Sequence, residues 1–261
     1  MISIMEPNKK YKDKIWLFLS ILFPLALWHM LSLYVNQRLL LVSPLTVAAR
    51  LLNIWMEDGF VGTLWFSFGR IVYGFFLAMA LGVLLAIPAG KFPVLERMLN
   101  PFAFTMKAVP VVSFIIICLI WLKSSQLSVF ITFLMVFPIV YTNLLQGMKS
   151  LDAGMLQMAS VFEIGWPRRI YYIYIPHLKP YFVSACDVSL GMSWKAGIAA
   201  EVIGIPSGSI GEQLYYARIY LNTTDLFAWT VIAVIICILF EKFFLYMIRR
   251  VFTLMEGRYG H

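Results

Sequence analysis

Five ionisable side chains, Arg70, Lys107, Asp187, Lys195 and Glu201, sit inside long apolar stretches of this sequence. Charge at bilayer depth is costly, so such residues mark solute paths, proton relays or paired structural charges. On an ideal helix Asp187, Gly191, Trp194, Ile198 and Glu201 fall within about 40° of one another, with Lys195 roughly 80° from Asp187. Lys195 is therefore poorly placed to pair with either acid on its own helix, and Arg70 or Lys107 suit cross-helix pairing better. Two readings follow. The five charges form structural pairs or snorkel to the interfaces, or Trp194, Lys195 and Glu201 line a path in which cations favour an anionic solute. Enzyme chemistry needs more than this, namely clustered acids, histidines or thiols. The two intramembrane acids are fourteen residues apart with no histidine beside either, and Cys118, Cys186 and Cys237 lack metal-ligand spacing. No Gly-x4-Gly-Lys-Ser/Thr phosphate loop occurs, since "AGKFP" at 89–93 lacks both the spacing and the hydroxyl.

The elements that must position these charges are membrane helices. Of 261 residues, 61% are hydrophobic and 13% charged, with mean hydropathy +0.83. Apolar windows of 18 or more residues have the length to cross a core of roughly 30 Å as helix. The chain is predicted to be an all-α polytopic protein, with spans near 15–35, 64–89, 101–121, 126–147, 181–203 and 226–247. Lys107 and Pro110 make the third the least regular. The segment 36–60 is too polar to span and predicts a short interfacial helix starting after Ser43-Pro44. The chain then divides into an N-terminal segment 1–14, a first span with its interfacial segment 15–60, a core 61–250 holding a loop at 150–180, and a tail 251–261.

Cation placement orients the chain. With six spans, fourteen lysines and arginines fall on the side of the termini and four (Arg38, Arg50, Lys123, Arg218) on the other. That asymmetry predicts cytoplasmic N- and C-termini. It also accounts for the net charge of +8 without nucleic acid. In the second span Gly74, Ala78, Gly82, Ala86 and Gly90 recur every fourth residue, a stripe that lets a neighbouring backbone approach closely.

The loop at 150–180 lies on the cytoplasmic side. Apolar residues at 151, 155, 158, 159 and 162 predict an amphipathic helix with Asp152 in its first turn. Gly165 is placed to stop it, and Pro167 to open a second helix running from Arg168 and Arg169 to Ile175-Pro176. A two-helix hook with an apolar face and no core to bury it calls for a protein partner.

The stretch "QMASVFEIGWPRRIYYIYIP" resembles the coupling loop of ATP-binding-cassette importer permeases, Glu-Ala-Ala-x3-Gly-x9-Ile-x-Leu-Pro. Anchored on Pro176, Gln157, Met158 and Ala159 occupy Glu-Ala-Ala, Glu163 the glycine, and Ile173 and Ile175 the two aliphatic positions; the glycine itself is displaced to Gly165. "SPLTVAARL", "SFGRIVYGFFLAMALGVLLAIPAG", "PFAFTMKAVPVVSFIIICLIW" and "WKAGIAAEVIGIPSGSIGEQLYYARIYLNTTDLFAW" are similar to permeases of the nitrate, sulfonate, taurine and bicarbonate type. The resemblance implies a MetI-like permease fold and a bacterial or archaeal inner-membrane location. It implies a dimer with a second permease copy, an extracytoplasmic substrate-binding protein, and ATPase subunits that carry ATP and Mg, with no cofactor in this chain. Gln157, Met158, Ala159, Ser160, Phe162, Glu163 and Gly165 would touch the ATPase, and Trp194, Lys195, Glu201, Asp187, Arg70 and Lys107 are the path candidates. The solute would be a small anion such as a sulfonate or nitrate, or a vitamin-precursor pyrimidine. The alternatives are a channel or secondary transporter, which needs no ATPase dock, and more remotely a membrane-embedded enzyme.

Overall fold

The structure, a computed structural model, describes residues 7–37 and 39–256. Arg38 and parts of segments 1–14 and 251–261 lie outside the described residues. Among the described residues every regular element is helical. In chain order these are α1 (Pro7–Val35), α2 (Pro44–Ile54), α3 (Phe60–Lys91), α4 (Pro93–Ala108), α5 (Val111–Cys118) and α6 (Ser124–Lys149). After the hook helices α7 (Ala153–Val161) and α8 (Trp166–Arg169) come a π-turn (Ile170–Tyr174), α9 (Ile175–Gly204), α10 (Ile210–Ile219) and α11 (Thr223–Glu256).

The core is α6 sandwiched between α3 and α9. Ile71 and Phe75 of α3, Val136, Val140 and Tyr141 of α6, and Leu190 and Trp194 of α9 are buried together. Small residues set how closely these helices approach. A Cβ on Gly74 would stand 2.5 Å from the Val129 carbonyl oxygen, one on Gly82 2.8 Å from the Val140 side chain, and one on Gly90 inside the Met148 side chain. Ala78 and Ala86 between them are fully buried. On α9, Gly197 faces Ile71 and Thr132 in the same way.

One sequence expectation needs correction. The region drawn as one straight span at 101–121 is a pair of helices, α4 and α5, bent by 101°. The break falls at Val109–Pro110, where Val109 is extended and Pro110 has no N–H to continue α4. A test of length and composition alone picks out fewer spans than the six expected. Among the described residues α3, α6 and α11 qualify, and the bent pair α4–α5 makes a fourth. Helix α9 is long enough, but it carries Lys179, Asp187, Lys195 and Glu201. The short helix expected after Ser43-Pro44 is α2: Ser43 caps it, its side chain accepting from the Thr46 amide at 3.3 Å, with Pro44 in the first turn.

The hook does not end at Pro176. From Trp166 to Gly204 the backbone stays helical for thirty-nine residues, roughly 58 Å. In the π-turn the Ile175 amide donates to the Ile170 carbonyl, five residues back. This wide turn stands directly ahead of Pro176, where a tighter turn would lack a donor and meet the ring.

Candidate functional site

Helix α7 starts on Asp152, whose carboxylate accepts from the Gly154 amide at 2.8 Å. It ends in a Schellman motif: the Ile164 amide reaches the Ala159 carbonyl at 2.9 Å and the Glu163 amide the Ser160 carbonyl at 3.1 Å. The residue that turns left-handed is Glu163, with φ +49°. Gly165, assigned above as the stop, instead has φ −59° and caps α8. The helix is already closed two residues earlier, at the position where the permease pattern carries glycine. Arg169 then folds back over the corner. Its Nε donates to the Ile164 carbonyl at 2.6 Å, one Nη to the Ala159 carbonyl at 3.1 Å and the other to Ser160 Oγ at 3.3 Å.

The hook's polar backbone is thus satisfied internally while its apolar side chains are not. Val161 is 79% exposed, Phe162 72%, Trp166 51% and Met158 50%. Gln157, Ser160 and Glu163 are exposed beside them, whereas Ala159 is fully buried at the inside of the corner. Nearby, Glu96 in the first turn of α4, ahead of the apolar stretch that starts near Pro101, accepts from Lys149 at 2.6 Å and from Asn100 at 3.0 Å.

The five intramembrane charges do not share one environment, and among the described residues no ion pair joins any of them. Glu201 is wholly buried, accepting from Ser67 Oγ at 2.6 Å and from the Gly211 amide at 3.4 Å. Ser67 Oγ in turn accepts from the Ile210 amide at 2.9 Å, so a carboxylate and a hydroxyl serve the first turn of α10. Gly211 is required there, because a Cβ would run into the Glu201 backbone. Trp194 is also buried, its ring beside Phe68 at 6.0 Å. Asp187 and Lys195 are exposed on α9. Asp187 keeps the same stripe as Trp194 and Glu201 but lies about two turns nearer the hook, where that stripe is uncovered, while Trp194 and Glu201 are buried against α3 and α10. The Arg70 guanidinium sits 3.6 Å from the centre of the Phe66 ring, and Lys107 Nζ donates to Thr142 Oγ1 at 2.7 Å.

Opposite the hook, Arg50 of α2 pairs with Asp225 of α11 and, at 2.6 Å, with Glu57. Neither this bridge nor the Arg169 clasp was read from the sequence. For Arg169 the displaced glycine was the available signal.

A helical membrane core whose one end presents an unsatisfied hook is the build of a membrane transport subunit. Residues 78–253, about two thirds of the chain, match the family described as "Binding-protein-dependent transport system inner membrane component", and the chain belongs to that family. It is 27% identical over 221 residues to an aliphatic sulfonates transport permease protein of Bacillus subtilis, covering 84% of this chain and 80% of that one. It is 26% identical over 220 residues to the taurine transport system permease protein of Escherichia coli, with 82% and 80% covered. With a bicarbonate transport system permease protein of Synechocystis it shares 29% over 147 residues, 56% and 51% of the two chains. The chain is the inner-membrane permease subunit of an ATP-binding-cassette importer, a transport component and not an enzyme, working with ATPase and substrate-binding partners.

Proposed function

We propose that two copies of this chain enclose the path and that each hook docks into a cytoplasmic ATPase subunit, which carries ATP and Mg. The observation that carries this reading is the hook itself. Its backbone is internally bonded, yet Met158, Val161, Phe162 and Trp166 stand in solvent, an arrangement that suits a groove on a protein partner. The fourteen-to-four bias of cations supports placing both termini and the hook in the cytoplasm. Closure of the ATPase pair would push the hooks, and the helix running on from each would carry that motion into the bundle. A substrate-binding protein would meet the far end, around α2 and α10.

The solute we favour is a small organic or inorganic anion. The relatives are named for sulfonates, taurine and bicarbonate. Lys195 on the open face of α9, with Lys107 and Arg70, would supply the positive field. Glu201 and Trp194 are left out of the path because both are buried inside the protomer.

The test is capture of the ATPase subunit of the same importer by the tagged permease in mild detergent. Phe162→Asp is expected to lower capture at least tenfold. Lys195→Ala is expected to leave capture intact and reduce uptake of a small aliphatic sulfonate. Failure of the unaltered chain to retain the ATPase, or full retention by Phe162→Asp, overturns the docking; undiminished uptake by Lys195→Ala overturns the path assignment.

A further inference from the structure

Docking leaves two features of the hook without a purpose. Glu163 holds a left-handed conformation that side chains other than glycine, asparagine and aspartate seldom adopt. Arg169, six residues on and already part of the long helix, spends its guanidinium on α7 and the turn, bonding Ile164, Ala159 and Ser160. A planar fork suits several fixed acceptors at once, which a lysine ammonium cannot reproduce. The two features bear on one joint. Glu163 makes the corner prone to open, and Arg169 closes it from the other side.

We propose that Arg169 is the positioning residue of the coupling step, holding α7 at a fixed angle to the 166–204 helix and offsetting the strain at Glu163. The proposal rests on the docking reading, since a fixed angle matters only if force enters through α7. Without the clasp, α7 would still offer its apolar side chains to the ATPase but would swing when pushed. Hydrolysis would go on and the bundle would feel less of it. The strain also predicts a rescue. Glycine at 163 adopts the left-handed turn without strain, so Glu163→Gly makes the clasp dispensable.

Two measurements on the full-length permease in nanodiscs decide this. The first is the distance distribution between spin labels at Gln157→Cys and Arg168→Cys, with Cys118, Cys186 and Cys237 replaced by alanine. The clasped corner is expected to give one narrow peak, Arg169→Ala a broad distribution, Arg169→Lys an intermediate one, and Arg169→Ala with Glu163→Gly a narrow peak again. The second is ATP hydrolysed per solute moved in the reconstituted importer. It is expected to rise at least fivefold in Arg169→Ala, with ATPase capture retained, and to return to within twofold in the double variant. An unchanged distribution in Arg169→Ala, or a broad one that Glu163→Gly does not narrow, overturns the proposal. If the unaltered chain captures no ATPase the docking reading falls, while the distance measurement still judges the clasp.

Discussion

The long helix from Trp166 to Gly204 has a corner at each end, and the two are built in opposite ways. Both turn on a left-handed residue that is not glycine, Glu163 before the helix and Ile205, with φ +47°, after it. At the Ile205 corner the stabilising groups are buried: Glu201, Ser67 and the first amides of α10, with Ile210 and Leu214 packed on Ile54 and Trp229. At the Glu163 corner the bonds lie near the surface, and the large apolar side chains remain half or more exposed. One corner is completed by side chains from several helices; the other is held by its own backbone and by Arg169. A joint of the second kind can be gripped from outside without unfolding what holds it.

Substitutions at the two ends can break or sharpen this contrast. The largest effect is expected from Glu201→Ala, which strips the acceptor from the buried Ser67 hydroxyl and Gly211 amide. Leaving such groups unsatisfied costs about 1–3 kcal/mol each. Thermal unfolding in detergent should fall by several degrees, with Glu201→Gln losing less because it keeps an acceptor oxygen. A Glu201→Ala variant as stable as the parent would erase the distinction. Lys149→Met, at the hook end, should cost under about 1 kcal/mol, since Lys149 is 53% exposed. A Lys149→Met melt depressed as far as that of Glu201→Ala would blur the contrast. The smallest effect on stability is expected from Phe162→Asp, within about 0.5 kcal/mol by the same melt, as at a largely exposed site.

Much of this was legible in the residues, for reasons that also mark where reading stopped. Ser43-Pro44 carries its own capping chemistry, and the hook's helix–corner–helix follows from local periodicity and Pro167. Both signals are complete within a few residues. Glu201 shows the limit. A helical wheel sets which side chains lie side by side, but not which side turns inward, and that choice belongs to α6 and α3, more than fifty residues away in sequence. The break at Val109–Pro110 was signalled by its proline, but its angle depends on what α5 packs against. The Arg169 clasp needed the turn to exist before its acceptors came together.

The π-turn at Ile170–Tyr174 carries one consequence of its own. It takes in one residue more than an α-turn, so everything upstream is out of phase with α9 by about 100° compared with an uninterrupted helix. That spare residue sets the compass bearing of α7 around the bundle. Deleting a single residue from 170–174 would leave the sequence of the hook intact and aim it at a different neighbour.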